Sequence, residues 1–112
     1  IVSSTINFFR DNFEKSAKDG VKAEFYSITR LYKIYHEWCK SNTNRKPVNS
    51  NIFRKELRQE LKVRQTLMGW DRLENANKRG FWLRQTPESV LKDVHFNKFM
   101  VDDDDLIEEL PL

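Results

Sequence analysis

A chain of 112 residues and 13.5 kDa holds one hydrophobic core and has no room for a second. With 38% hydrophobic residues, eight Phe, three Trp and one Cys, it is too apolar for wholesale disorder and too poor in thiols for a disulfide framework or a zinc site built on two thiolates; no run nears the roughly 18 apolar residues of a membrane span. The net charge of +3 hides an asymmetry: six of the 17 acids fall in residues 101–112, which leaves 20 bases against 11 acids before them, and residues 40–84 carry 12 bases against four acids.

The chain opens Ile1-Val2-Ser3-Ser4 without an initiator Met, so it is expected to be a piece of a longer protein. No signal peptide is read, and a reducing intracellular compartment, the cytoplasm of a host cell, is the expectation. The first predicted helix runs from Ser4 to about Lys18. Val2, Ile6, Phe9, Phe13 and Ala17 form its apolar stripe, Ser3, Ser4 or Thr5 caps it, and Asp19-Gly20 stops it.

In the second helix, Ile28, Leu31, Tyr32, Tyr35, Trp38 and Cys39 recur at i, i+3, i+4, i+7, i+10 and i+11 behind a Ser27 cap. Arg30, Lys33, Glu37 and Lys40 take the other face, and the helix ends near Ser41-Asn42. Asn49 or Ser50 caps a third helix to Leu61 or Lys62. Phe53, Leu57 and Leu61 lie along one side with Ile52 beside them; Arg54, Arg58 and Lys62 form a second row, joined by Asn51 and Lys55.

From Val63 the period shifts toward two. Val63, Gln65 and Leu67 alternate with Arg64, Thr66 and Met68 as a short strand, and Phe81 to Arg84 is the returning one. Between them the stretch Gly69 to Gly80 reads as a long basic loop with Trp70, Arg72, Lys78 and Arg79. Trp70 is placed either to stack on a base or to fold back over the core. Thr86-Pro87-Glu88 then opens a short helix toward Val94, with Thr86 as cap and Pro87 in the first turn.

Helix, helix, basic helix, strand, basic loop, strand is the order of a winged helix. The expected fold class is α+β: a mainly helical winged helix of three helices, a β-hairpin wing, a short C-terminal helix and an acidic tail. The Phe53/Leu57/Leu61 side packs inward, which leaves the Arg54/Arg58 side for a major groove and the hairpin for phosphates or the minor groove. A generic small α+β module is the alternative.

The run Leu31-Tyr32-Lys33-Ile34-Tyr35-His36-Glu37-Trp38-Cys39 is similar to the aromatic "LY..Y..WC" helix in the C-terminal domain of phage, plasmid and poxvirus-type primase–helicases. The resemblance continues through Pro47-Val48-Asn49-Ser50, Phe53…Leu57 and the basic hairpin Lys78-Arg79-Gly80-Phe81-Trp82, over roughly residues 5–85. Residues 1–22 resemble the helical end of a superfamily-3 helicase module, so the resemblance implies a lead-in over 1–22, a winged-helix domain over 23–100 and a tail over 101–112. The family's Walker motifs and primase active site are absent from this piece, so no catalytic residue carries over. The parent protein is implied to be a primase/polymerase and ATP-dependent helicase. The wing of this chain is longer and more polar than the family pattern.

Catalytic alternatives find little support in the residues. His36 and Cys39 share one helix turn, as a nucleophile and its base would, yet Cys39 lies on the apolar stripe and no acid is placed to orient His36. His36, His95 and Cys39 lack metal-ligand spacing, and no Gly-rich loop cradles a phosphate. No metal site and no cofactor are expected. The tail Asp102-Asp103-Asp104-Asp105-Leu106-Ile107 and onward resembles the acidic, hydrophobic-tipped tails of single-stranded-DNA-binding proteins, which implies a partner-binding segment.

The expected function is therefore that of a non-enzymatic DNA-binding module holding template or origin DNA for a helicase motor. Its candidate site is Asn51, Arg54, Lys55, Arg58 and Lys62 on the third helix, with Arg72, Lys78 and Arg79 of the wing. Expected partners are duplex, forked or single-stranded DNA and the parent helicase module, with homo-oligomers formed through the parent and no membrane. The rivals are a protein-interaction or oligomerisation module, and a free-standing transcription regulator that dimerises through the first helix.

Overall fold

The computed structural model describes residues 2–14, 24–63, 68–73 and 76–100, with the backbone alone described over 62–63 and for the hairpin strands up to residue 79. Helix α1 spans Ser4–Asn12, capped by Ser3, whose hydroxyl accepts the Ile6 N–H at 3.2 Å. The periodicity predicts a helix to Lys18; instead the backbone turns extended at Phe13. The cause is long-range. The Glu14 N–H donates to the Arg84 carbonyl at 2.8 Å, the Thr86 N–H to the Asn12 carbonyl at 3.0 Å, and Phe13 bridges Gln85, so this backbone is committed to the chain after the hairpin. The stripe differs too: Thr5, Phe8, Phe9 and Asn12 are buried at i, i+3, i+4 and i+7, while Val2 is exposed and Ile6 half-buried. The expected stop at Asp19-Gly20 and Ala17 lie outside the described residues.

Strand β1, Glu24–Ser27, is unpredicted. It pairs antiparallel with β3, Phe25 opposite Trp82 and Tyr26 opposite Phe81. Ser27 then caps α2, Ile28–Asn42, by accepting the Arg30 N–H at 3.0 Å. The aromatic stripe is core as expected: Leu31, Tyr35, Trp38 and Cys39 are buried, Ile34 with them, and Tyr32 packs against their edge. Arg30 departs from the solvent face assigned to it. It is buried, its guanidinium stacked 4.5 Å over the Tyr26 ring and donating to the Phe25 carbonyl at 2.6 Å.

Helix α3 runs Ser50–Val63 from an Asn49 cap whose Oδ1 accepts the Ile52 N–H at 2.9 Å. Phe53, Leu57 and Leu61 are fully buried, as their spacing requires. Ile52, read beside that row, is 45% exposed.

The hairpin corrects the expected strand–long loop–strand arrangement. Val63 ends α3 rather than opening a strand, and the strands are β2, Met68–Leu73, and β3, Ala76–Leu83, so most of the stretch Gly69 to Gly80 is paired ladder. Gly80 marks a close approach rather than a loop edge. A Cβ there would run into the Tyr26 carbonyl oxygen and lie 2.7 Å from the Phe25 ring and 2.8 Å from the Ser27 Cα, so only Gly lets β1 lie against β3. The sheet order is β1-β3-β2.

After the hairpin, Thr86-Pro87-Glu88 forms a turn, not the start of an α-helix. Thr86 is held by Asn12, and the cap is Ser89, whose hydroxyl accepts the Leu91 N–H at 3.2 Å and donates to Asn12 Oδ1 at 2.9 Å. Two 3-10 segments follow, Val90–Lys92 and Val94–Phe99, which send Leu91 and Phe96 into the core. The fold is α+β and mainly helical, in the expected order of elements with β1 added. Phe8, Phe9 and Phe13 share one core with the residues of α2 and α3; the division expected between 22 and 23 falls outside the described residues, and those on either side of it pack together.

Candidate nucleic-acid interface

Helix α3 carries two acids, and both turn toward α1. The Thr5 hydroxyl donates to Glu56 at 3.1 Å, and Arg10 Nε donates to Glu60, 5% exposed, at 3.1 Å. The spacing i, i+4 puts both carboxylates on one side of the helix, beside the Phe53/Leu57/Leu61 row. The outward side is left with Asn51, Ile52, Arg54, Lys55, Arg58 and Gln59, all exposed. Among the described residues, no carboxylate pairs with Arg54, Lys55 or Arg58. Among the described residues these three cations thus stand without a paired carboxylate, which gives the surface a local positive potential.

The other candidate residues follow from the backbone. Lys62 belongs to the last turn of α3. Arg72 lies on β2, and Lys78 and Arg79 on β3, where the ladder sets Arg72 opposite Asn77, Asp71 opposite Lys78 and Trp70 opposite Arg79. The structure thus brings Asn51, Arg54, Lys55 and Arg58 together on one helix and Arg72, Lys78 and Arg79 together on one hairpin. Residues Asp102 to Asp105, Leu106 and Ile107 lie outside the described residues.

The structure separates Cys39 and His36, the two groups of α2 that share one turn, by burial. Burial pushes the Cys39 thiol up, toward its protonated form, and a buried thiol is a poor nucleophile. His36 is exposed, with its ring edge-on to Tyr32. The Tyr35 hydroxyl accepts the Val48 N–H at 2.9 Å and shares a 2.7 Å hydrogen bond with Ser4, so it ties α1 and the α2–α3 connection to α2. Among the described residues no three His, Cys, Asp or Glu side chains gather as a metal site, and no helix is long and apolar enough to cross a membrane. A polar cleft of about 450 Å³ beside Trp38 is walled by Asp11, Asn42 and Glu88.

Sequence reasoning missed two features of the surface. Trp82, read only as strand, is 38% exposed and packs edge-on against Phe25 on the sheet; with β1 undetected, nothing signalled an outer sheet face here. Glu56 and Glu60 are two of the four acids in residues 40–84, and their i, i+4 spacing beside the apolar row is a readable sign that they turn inward.

No curated protein and no solved structure gives a match to the chain. The resemblance read over residues 5–85 proves wider: the sequence model of the poxvirus D5 protein-like family matches residues 4–104, and the chain belongs to that family of primase/helicase-type replication proteins.

Proposed function

We propose that this domain binds DNA through the outward side of α3, with the β2–β3 hairpin as the wing of a winged helix, and that it serves as a C-terminal module holding template or origin DNA for a helicase motor. The observation that carries the reading is the charge segregation on α3: Glu56 and Glu60 are engaged by Thr5 and Arg10, and Arg54, Lys55 and Arg58 face outward. Arg54 and Arg58 suit base edges through their planar guanidinium forks, and Lys55 and Lys62 suit phosphates. Arg72, Lys78 and Arg79 extend the contact to the backbone beyond the groove. The membership in a family of replication proteins supports a role at DNA. The module acts without a cofactor or catalytic residue of its own, beside the parent helicase module and through whatever oligomer the parent forms, in the host cytoplasm.

The test is fluorescence anisotropy on duplex, forked and single-stranded DNA over a range of salt, with the Arg54→Ala/Arg58→Ala double variant alongside. The expected result is weaker binding by the variant with an unchanged melting temperature and a salt slope close to that of wild type, because a guanidinium on a base edge neutralises no phosphate. Equal affinity in both proteins would remove α3 as the DNA-facing element.

A protein-interaction module is the second reading, and the exposed Trp82 against Phe25 favours it. Dimerisation through the first helix finds less support, because Phe8 and Phe9 are fully buried in the chain's own core.

A further inference from the structure

We infer that Ile52 reads the 5-methyl group of thymine, so that the ligand of the α3 face is B-form duplex DNA carrying A·T pairs, not single-stranded DNA or an RNA duplex. The inference rests on the proposed function and names the ligand class of that same face. Ile52 stands in the first turn of α3, its backbone fixed by the Asn49 cap. It is 45% exposed, and it is flanked on that face by Asn51, Lys55 and Gln59, all exposed. Its fourth neighbour along the helix, Glu56, is drawn toward Thr5. A large apolar side chain is thus held at the entry end of a face that is otherwise polar and cationic, and the fold gains little by it: the core row beside it is complete without it, and a β-branched residue is a weaker helix former than the Lys or Gln around it.

The chemistry of the position is specific. In a helix an Ile side chain has one dominant χ1 rotamer, so it meets a partner with little freedom left to lose. The first residues of a groove-entering helix are the ones that touch base edges. Among the base edges of the major groove, the thymine methyl is the apolar feature, and a neighbouring Asn is the side chain that pairs with adenine N6 and N7; Asn51 and Ile52 are adjacent on that turn. An RNA duplex offers neither a readable major groove nor a methyl on uracil. Single strands are held mainly by stacking on aromatic rings, and the outward residues of α3 include none.

The experiment compares wild type and Ile52→Ser on equal-length alternating duplexes of dA–dT and dA–dU, which differ only in the thymine methyl, and on single-stranded oligo-dT. Wild type is expected to bind dA–dT about fourfold more tightly than dA–dU, the worth of one apolar carbon taken from water. The Ser variant, with an unchanged melting temperature, is expected to bind both equally. Indifference of wild type to the methyl, a preference that survives in Ile52→Ser, or tighter binding to oligo-dT than to either duplex would each overturn the inference while leaving DNA binding by α3 intact. Absence of binding to all three ligands overturns the inference; absence of binding to a mixed-sequence duplex and to forked DNA as well would overturn the proposed function itself.

Discussion

Glu60 of α3 is buried, and Arg10 of α1 reaches it with Nε at 3.1 Å from its carboxylate. One turn earlier Glu56 accepts from Thr5. The pair joins the two helices and removes an acid from the vicinity of the basic face. Arg10 is itself 56% exposed, so water screens part of the attraction, and the pair is worth less than a fully buried one. Arg10→Ala leaves a buried carboxylate without its cation and is expected to cost about 1–2 kcal/mol. Glu60→Gln is expected to cost less, because the amide oxygen still accepts from Arg10. Urea unfolding of the two single variants and the Arg10→Ala/Glu60→Gln double variant measures what the carboxylate charge adds to the contact; additive losses would mean that the charge on Glu60 contributes nothing beyond the hydrogen bond that Gln keeps.

Gly80→Ala places a methyl against the Tyr26 carbonyl and the Phe25 ring. Both neighbours belong to β1, and one of them is backbone, so relief requires the strands to separate. A loss of about 1–3 kcal/mol is expected, the usual cost of forced overpacking. Faster amide exchange in β1 and in the facing residues of β3 would locate it; exchange rates equal to wild type would show that β1 lies farther from β3 than the register Ser27 opposite Gly80 implies.

These two variants touch features with very different legibility in the sequence. Helix α2 was readable because its apolar period spans three turns and Ser27 supplies a local cap. The outward row of α3 was readable because Phe53, Leu57 and Leu61 fix the inward side. Strand β1 was not readable, since four residues with two buried ones give no alternation to detect, and its partner lies more than fifty residues away. The same distance hid the end of α1, where Arg84 and Thr86 take up the backbone. Gly69 and Gly80 misled because Gly more often marks a turn than a close strand crossing. Arg30 misled because its charge predicts solvent, whereas the Tyr26 ring and the Phe25 carbonyl compensate its burial.

Tyr26 makes the fold sensitive to alkali. Burial, above all, pushes its phenol up to about 12 from 10.0, with Glu24 adding to the rise. The folded state holds the neutral phenol, so the contribution is present in full below pH 10 and is lost as pH climbs from 10 toward 12. The full loss is expected to be about 3 kcal/mol, roughly half of it by pH 11. Urea unfolding at pH 9 and pH 11 should show a smaller drop for Tyr26→Phe than for wild type, even though the variant starts lower for want of the Gln85 hydrogen bond. Parallel drops in the two proteins would assign the alkaline sensitivity to other groups, Tyr35 first, whose phenol burial also raises.

The acidic segment 101–112 is expected to compete with DNA for the α3 face. Residues 102–109 carry six carboxylates and no base, opposite in sign to Arg54, Lys55 and Arg58, and a twelve-residue segment can extend to about 40 Å. Coulomb attraction between them is strongest at low salt, where the Debye length is roughly 30 Å at 10 mM against 8 Å at physiological ionic strength. Truncation after Val101 is therefore expected to tighten DNA binding at 10 mM salt, with the gain shrinking toward nothing at 150 mM. The free-standing peptide 101–112, added to the truncated form, should restore the weaker binding in the same salt range, and a peptide with Asn at the four Asp positions 102–105 should restore little of it. If the truncated and full-length chains bind DNA equally at 10 mM salt, the tail does not compete for this face, and Leu106 and Ile107 are free to be tested as a contact for the parent helicase module alone.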